Sequence, residues 1–363
     1  MLKDIKKKKV LVAMSGGVDS SLAAVLLKET GYEVYGVTMN LFNSRTVNLE
    51  GIKDYSNNEK NIEIAKQVAG KLNIPWEVWD FSHEFKDEVI KYFNREYMSG
   101  RTPNPCVACN QKIKFGLFLK NALSSGMDYI ATGHYVLKAF NKQINQYTLR
   151  KAKDENKDQS YFLYRLGQKI LSRTLFPLGG LRKEDVRELA GKYGLENHNK
   201  PESQEICFIP DNNYRKFLKR NISRTIITGF FKDIKGNTLG RHQGIPFYTI
   251  GQRKKLGVSL NKRKYVVKID AQKNEIVLGD NTDLYKSEFK VFDLNIISGK
   301  QFLFPMNVEV KIRYNCKGSQ ATLYSQEEGR ILVELSKPQR AITPGQAAVF
   351  YNDVSLLGGG VIE

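Results

Sequence analysis

Cysteine is scarce in this chain of 363 residues, with Cys106, Cys109, Cys207 and Cys316 its only four. That is too few for a disulfide framework at this length, so a packed core must hold the fold, and chemistry at sulfur is expected against a reducing background. Acid is in short supply as well: 38 Asp and Glu stand against 57 Lys and Arg, a formal net charge of +19. The deficit excludes an acidic, self-solvating chain and makes a large polyanion, nucleic acid first, the partner to look for. A Lys-rich genome would give the same composition, so the placement of the basic residues has to decide. Long apolar runs are missing too. Nothing approaches the roughly 18 uninterrupted apolar residues of a membrane span. The Lys-rich start, Met1 to Lys9, runs straight into a strand-like segment with no apolar signal core. The reading is a soluble, cytoplasmic protein with no membrane partner. What is present is ordinary for a folded enzyme, 41% hydrophobic and 11% aromatic residues, and at about 100–200 residues per domain the length suggests two or three domains.

Along the chain, an α/β part precedes a β part. Lys9 to Met14 is a short apolar run bounded by charge and by Ser-Gly-Gly, as expected of a buried parallel strand. Apolar residues at helical spacing follow from Ser20 to Glu29, then a strand from Glu33 to Met39, which makes a βαβ opening. A helix over Glu59 to Leu72, a strand over Pro75 to Phe81, and an amphipathic helix from His83 to Met98 continue the alternation. After the loop Gly100 to Pro105, a helix beginning near Cys109 runs to Leu123, and Asp128 to Tyr135 reads as a further strand. This predicts a doubly wound parallel sheet with its ligand site at the carboxyl ends of the strands. From Arg224 onward, short alternating runs such as Tyr265 to Ile269, Asn307 to Arg313 and Arg330 to Leu335 are separated by turn signals, which predicts one or two small β modules. Boundaries are placed after residue 210 and, more weakly, after residue 282.

The chemistry starts at Ser15-Gly16-Gly17-Val18-Asp19-Ser20-Ser21, between the first strand and the first helix. Backbone N–H groups and a helix N-terminus there form an anion site, and glycine lets the main chain approach phosphate closely. It is neither a Walker loop nor Gly-x-Gly-x-x-Gly. It resembles the Ser-Gly-Gly-x-Asp-Ser loop of the ATP pyrophosphatases, which implies adenylation with release of pyrophosphate. Cys106-Val107-Ala108-Cys109 is ambiguous alone, because this spacing serves zinc sites, redox pairs and catalytic thiols. A four-cysteine zinc site would need a second close pair, which Cys207 and Cys316 do not make, so no metal site is expected. The helix after the Pro-rich loop should lower a thiol pKa at its start. Cys207, in Ile206-Cys207-Phe208, taken alone would more often be a buried structural cysteine.

Several uncommon motifs then occur in one order: Gly100-Arg101-Thr102-Pro103-Asn104-Pro105, Cys109-Asn110, Lys114-Phe115, Ala131-Thr132-Gly133-His134-Tyr135, Lys157-Asp158-Gln159-Ser160-Tyr161-Phe162-Leu163, Ile206-Cys207-Phe208-Ile209 and Thr249-Ile250-Gly251-Gln252-Arg253. Together with the glycine loop they span almost the whole chain, and it resembles the bacterial tRNA-uridine 2-sulfurtransferases. The resemblance implies ATP-dependent 2-thiolation of a wobble uridine, with Cys109 as nucleophile and Cys207 as the cysteine that carries sulfane sulfur as a persulfide. It places Ala13, Met14, Ser15, Gly16, Gly17, Val18, Asp19, Ser20, Met39 and Gly133 around ATP and its Mg2+. Asn104, Pro105 and Cys106 would meet the target base. His134, Lys157, Asp158, Gln159, Arg313, Tyr314 and Gln346 would contact tRNA. Further partners implied are a sulfur-donor protein and an external reductant. One departure stands out, since well-known members carry Asp where this chain has Cys106. If that Asp works as an acid or base, Cys106 or water must take its place, or the role is dispensable here.

The domains implied are a catalytic ATP-binding unit (1–210), a central β-rich tRNA-binding unit (211–282) and a C-terminal β-barrel tRNA-binding unit (283–363). Dense basic clusters, Arg253-Lys254-Lys255 and Lys262-Arg263-Lys264, with Lys311 and Arg313 further on, would supply phosphate contacts. An amide-forming ligase would keep the glycine loop without needing both Cys109 and Cys207, and a non-catalytic tRNA-binding protein would keep the basic clusters without ATP turnover. His134 read from its surroundings alone is equally a hydrogen-bonded histidine at a strand end.

Overall fold

The computed structural model describes residues 7–43, 56–199, 206–209, 211–222, 225–259 and 262–363. The first half of the chain is built on β1 (Lys9–Ala13), α1 (Val18–Glu29), β2 (Glu33–Asn40), α2 (Ser56–Lys71) and β3 (Trp76–Asp80). A continuous helical stretch follows as α3 (Ser82–Phe85), a π turn (Lys86–Ile90) and α4 (Lys91–Met98). A second stretch is α5 (Pro105–Cys109), a π segment (Asn110–Leu117) and α6 (Phe118–Ser124), leading to β4 (Tyr129–Ala131). Strands β5 (Leu137–Asn141) and β6 (Gln146–Arg150) form a hairpin, followed by α7 (Gln168–Leu171), β7 (Thr174–Leu175), α8 (Lys183–Lys192) and α9 (Tyr214–Asn221).

Strands β3-β2-β1-β4-β7 form one parallel sheet in that order. Alternation along β1 shows why it lies in the middle: Val10 and Val12 belong to the apolar cluster under α1, while Leu11 and Ala13 join the opposite cluster with Val37, Phe118 and Ile130. The carboxyl ends of β1, β2 and β4 therefore lie side by side, which carries the residues just beyond them to one edge.

The β part holds two bodies. Strands β8 (Gly229–Asp233), β9 (Thr238–His242), β10 (Tyr265–Asp270) and β11 (Glu275–Gly279) make a four-stranded sheet in the order β10-β11-β8-β9. Strands β12 (Tyr285–Ile296), β13 (Met306–Lys311), β14 (Ser319–Ser325), β15 (Ile331–Arg340), β16 (Ala347–Asn352) and β17 (Ser355–Ile362) follow, and the β12–β17 pairing closes them into a six-stranded antiparallel barrel. Closure removes the sheet edges. The fold class expected from sequence is therefore what the chain adopts.

Three details differ from the sequence reading. The helix after the Pro-rich loop starts at Pro105, not near Cys109, because the Asn104 side chain accepts from Val107 N (3.3 Å) and proline at N1 suits a first turn. The expected strand from Asp128 to Tyr135 contracts to β4, since beyond Ala131 the chain leaves the sheet for the cleft. The β5–β6 hairpin is an element that periodicity does not mark; it lies inside the α/β half yet pairs with β17 through Leu149↔Leu356.

Two packing arrangements position the chemistry. The Pro-rich loop rests on the barrel: Thr102 N donates to Pro344 O (2.8 Å), and Gln346 Nε2 donates to Thr102 O and Pro103 O (3.0 Å each). Gly345, at φ +91°, permits this approach, because a Cβ there would stand 2.8 Å from Thr102 O. The segment carrying Cys207 is held through its neighbour Phe208, whose ring packs edge-on against Phe85 (5.7 Å) and Phe93 (5.3 Å) and tilted against Phe217 (5.1 Å). Phe208→Ala is expected to destabilise the protein by about 3–5 kcal/mol, measured by denaturant unfolding. An unchanged unfolding midpoint would show that this cluster does not anchor the segment.

Candidate active site

A cavity of about 440 Å³ opens at the carboxyl edge of the parallel sheet. One wall is Ala13, Met14, Ser15, Asp19 and Ser20 with Met39 and Gly133, and a second is Pro105, Cys106, Cys109, Asn110 and Lys114. Thr132, His134, Gln159 and Phe162 complete the rim, and Ile206, Cys207 and Phe208 reach it from the far side. Gly16, Gly17 and Val18 lie behind the first wall, and Asn104 caps the helix behind the second.

The glycine loop is wired internally. Ser15 N donates to Ser20 Oγ (3.0 Å), and the Ser20 and Ser21 hydroxyls both donate to Gly17 O (3.0 and 3.1 Å). The first amides of α1 have no acceptor within the helix, so together with the helix dipole they are suited to an anion. Gly133 is glycine because the two segments touch: a Cβ there would stand 2.8 Å from Ser20 N. Asp19 does not face the cleft as a free carboxylate. Lys183 Nζ binds both its oxygens (2.7 and 2.8 Å), and Tyr135 OH donates to Oδ1 (2.6 Å).

Three thiols share the cavity. Cys109 is buried, at 7% exposure, whereas Cys106 and Cys207 present surface to the cleft mouth between walls of protein. Burial pushes the Cys109 thiol up to about 11, partly opposed by the Lys114 ammonium. This reverses the expected lowering by a helix start, because Cys109 closes the first turn instead of opening it and desolvation outweighs the dipole. Burial raises Cys106 and Cys207 as well, and Cys207 is raised further by Cys109 and Cys106, which places the three within electrostatic reach of one another. Lys114 favours the thiolate at all three. The His134 imidazole is held neutral, its pKa driven well below the usual range by burial and then by Lys114, with Nδ1 at 2.8 Å from Thr132 Oγ1.

Among the residues expected at tRNA, His134 and Gln159 line the cleft, and Gln159 also binds Tyr135 N through Oε1 (2.9 Å). Asp158, expected at the RNA surface, is 6% exposed instead, its carboxylate accepting from Ala152 N, Ser160 N and Ser160 Oγ. That shapes the 157–160 loop and leaves no carboxylate face for RNA. Lys157 is half-buried in the same loop. Arg313 is exposed and donates to Arg340 O (2.7 Å); Tyr314 packs on Phe162 with centroids 4.5 Å apart, which brings the barrel to the cleft rim. Gln346 holds the Pro-rich loop, as described above. Arg253, Lys254, Lys255, Lys262 and Arg263 are exposed around a separate concavity of the central sheet.

Sequence reasoning missed Lys114, Asn110 and Phe162 as cleft residues. Lys114 lies five positions after Cys109, which faces away in a 3.6-residue helix and comes round in the wider π segment that the chain forms here. Asn110 donates from Nδ2 to Phe162 O (3.2 Å), tying the second wall to the rim. Among the described residues, no group of three or more His, Cys, Asp or Glu is placed to hold a metal ion, and no helix is long and apolar enough to cross a membrane.

A parallel α/β sheet whose edge joins a phosphate-type loop to a cluster of three thiols, followed by two β bodies, defines a nucleotide-using enzyme of the HUP class. The family model described as tRNA methyl transferase HUP domain matches residues 8–211. Its PRC-barrel companion matches 215–280, and an aminomethyltransferase beta-barrel domain matches 286–362. A tRNA-specific 2-thiouridylase MnmA of Acetivibrio thermocellus is 47% identical over 99% of this chain and 100% of its own. Proteins similarly named from Clostridium botulinum (MnmA 1) and Carboxydothermus hydrogenoformans are each 49% identical, over 98% and 99% of this chain and 99% and 98% of theirs. The chain belongs to the tRNA-specific 2-thiouridylase family and is an enzyme of that class, a tRNA sulfurtransferase.

With the Cys109 pKa at about 11, its alkylation by iodoacetamide is expected to rise about tenfold per pH unit between about pH 8 and 10. A rate that levels off below about pH 8 would contradict the buried, raised thiol. Lys114→Gln is expected to slow labelling of exposed Cys106 at fixed pH, because losing the cation raises the thiol further.

Proposed function

We propose that the enzyme performs ATP-dependent 2-thiolation of the wobble uridine of tRNA, with Cys109 as nucleophile and Cys207 as the persulfide carrier. One observation carries this reading: the glycine loop, Cys109 and Cys207 line the same cavity although the chain separates them widely.

A urea-like carbonyl oxygen leaves poorly, so ATP first converts the C2 oxygen of the uridine into an adenylate that departs as AMP, with pyrophosphate held by the loop from Ser15 to Ser20. Ala13, Met14, Met39 and Gly133 surround the nucleotide. Mg2+ would be held by the ATP phosphates and would neutralise their charge, since the Asp19 carboxylate is already engaged by Lys183 and Tyr135. Sulfur then arrives as a nucleophile already held at the site. Cys109 attacks the bridging sulfur of the Cys207 persulfide and releases hydrosulfide, which displaces AMP from C2, or the terminal sulfur displaces AMP from C2 and Cys109 then attacks Cys207 Sγ to free the 2-thiouridine. Both routes close a Cys109–Cys207 disulfide that an external reductant reopens, and a sulfur-donor protein reloads Cys207. Raised thiol pKa values keep the thiols protonated at rest, and Lys114 is the cation beside them that favours a thiolate.

The base must leave the anticodon stack to enter the cleft, at a cost of order a few kcal/mol that is smallest for a loop nucleotide. Pro105 and Cys106 line the cleft that would receive it, and Asn104, which caps the helix behind them, would meet it from the helix start. Tyr314 against Phe162 offers a stacking surface at the rim. The central sheet and the barrel hold the tRNA backbone, through Arg253–Lys255, Lys262–Lys264 and Arg313.

Mass spectrometry of tRNA after incubation with ATP, Mg2+ and a sulfur source tests the proposal. Cys109→Ala and Cys207→Ala are expected to abolish thiolation and Cys106→Ala only to slow it. Full activity in Cys109→Ala would overturn the nucleophile assignment.

A further inference from the structure

Outside every residue assigned so far, Asn197 lies in a short 3-10 turn (Glu196–Asn199), 6% exposed, against the back of the glycine loop. Its Nδ2 donates to Gly16 O (3.1 Å) and to Ser21 Oγ (3.0 Å). The orientation of the amide is forced, because a carbonyl accepts only from the nitrogen end. Ser21 Oγ gives its own proton to Gly17 O (3.1 Å), so towards Asn197 it acts as acceptor. Both amide protons are therefore used, while Asn197 Oδ1 is buried with no partner among the described residues. A buried acceptor without a donor is destabilising, so the two N–H contacts are what this asparagine supplies.

We infer that Asn197 is a positioning residue for the anion loop. In a trans peptide the C=O and the following N–H point opposite ways. Fixing the Gly16 carbonyl towards Asn197 turns the Gly17 N–H to the other side, where Ser15, Asp19 and Ser20 line the cleft. Fixing Gly17 O through Ser20 and Ser21 does the same for the Val18 N–H. On its other side Gly16 lies against the Asn61 backbone at φ +73°, so close that a Cβ would stand 2.3 Å from Asn61 O, which reserves the position for glycine. The loop is thus aimed before its anion arrives, from a residue that touches no substrate. This rests on the reading of the loop as the pyrophosphate cradle.

Two variants of the full-length protein, Asn197→Ala and Asn197→Asp, test the inference by calorimetric titration with ATP and Mg2+ and, separately, with tRNA. Asn197→Asp keeps the shape of the side chain and replaces the donor with an acceptor facing Gly16 O. The expected result is ATP affinity weakened about five- to tenfold in the alanine variant and more in the aspartate variant. The KM for ATP rises while kcat at saturating ATP and affinity for tRNA stay close to wild type. ATP affinity equal to wild type in both variants overturns the inference. So does a parallel fall in ATP affinity, tRNA affinity and unfolding midpoint, which marks a general packing role. Absence of ATP binding in the wild type overturns the cradle reading itself, and is distinguishable because it precedes any substitution.

Discussion

The parallel sheet imposes the constraint on which the rest depends. Strands that run the same way end on the same edge, so whatever follows β1, β2 and β4 is delivered to one line of space. Here that line carries the glycine loop, Met39, and Thr132 to His134. The two thiols enter from elsewhere. Cys109 comes on a helix whose start is fixed by Asn104 and by a loop docked on the distant barrel, and Cys207 comes on a segment fixed by the ring of Phe208. The candidate cleft is consequently assembled from distant parts of the chain, with the barrel supporting it through Gln346 and Gly345.

Electrostatics in the cleft favour restraint over reactivity. The thiols are protonated at neutral pH because burial outweighs the single nearby ammonium of Lys114, and His134 is neutral for the same reasons of burial and like charge. The groups in the cleft that favour negative charge are the Lys114 ammonium and the free amides at the start of α1. Under the proposed mechanism, thiols held protonated would limit wasteful exchange of the persulfide.

Much of this was legible in the sequence for reasons that can be named. The apolar run before Ser15 and the loop itself identify a strand, an anion site and a helix in fixed order, so the nucleotide side could be read directly. The Pro-rich loop and the two cysteines could be placed only through the family resemblance, since neither periodicity nor spacing says that Cys109 and Cys207 meet. Three features escaped for physical reasons. A π segment, with its different turn, moved Lys114 onto the Cys109 face. The β5–β6 hairpin has strand character but a partner far along the chain, at Leu356. Asp158 reads as an exposed acid in a polar motif and is in fact consumed by three local donors.

The proposed sulfur transfer requires that Cys207 and Cys109 be able to meet within the cleft. The most direct measurement is mild diamide oxidation of the Cys106→Ser protein, followed by alkylation and peptide mass mapping. An intramolecular Cys109–Cys207 disulfide is expected as the main product, formed in a monomeric species. Recovery of both cysteines as separately alkylated peptides, or cross-linking only between molecules, would contradict it.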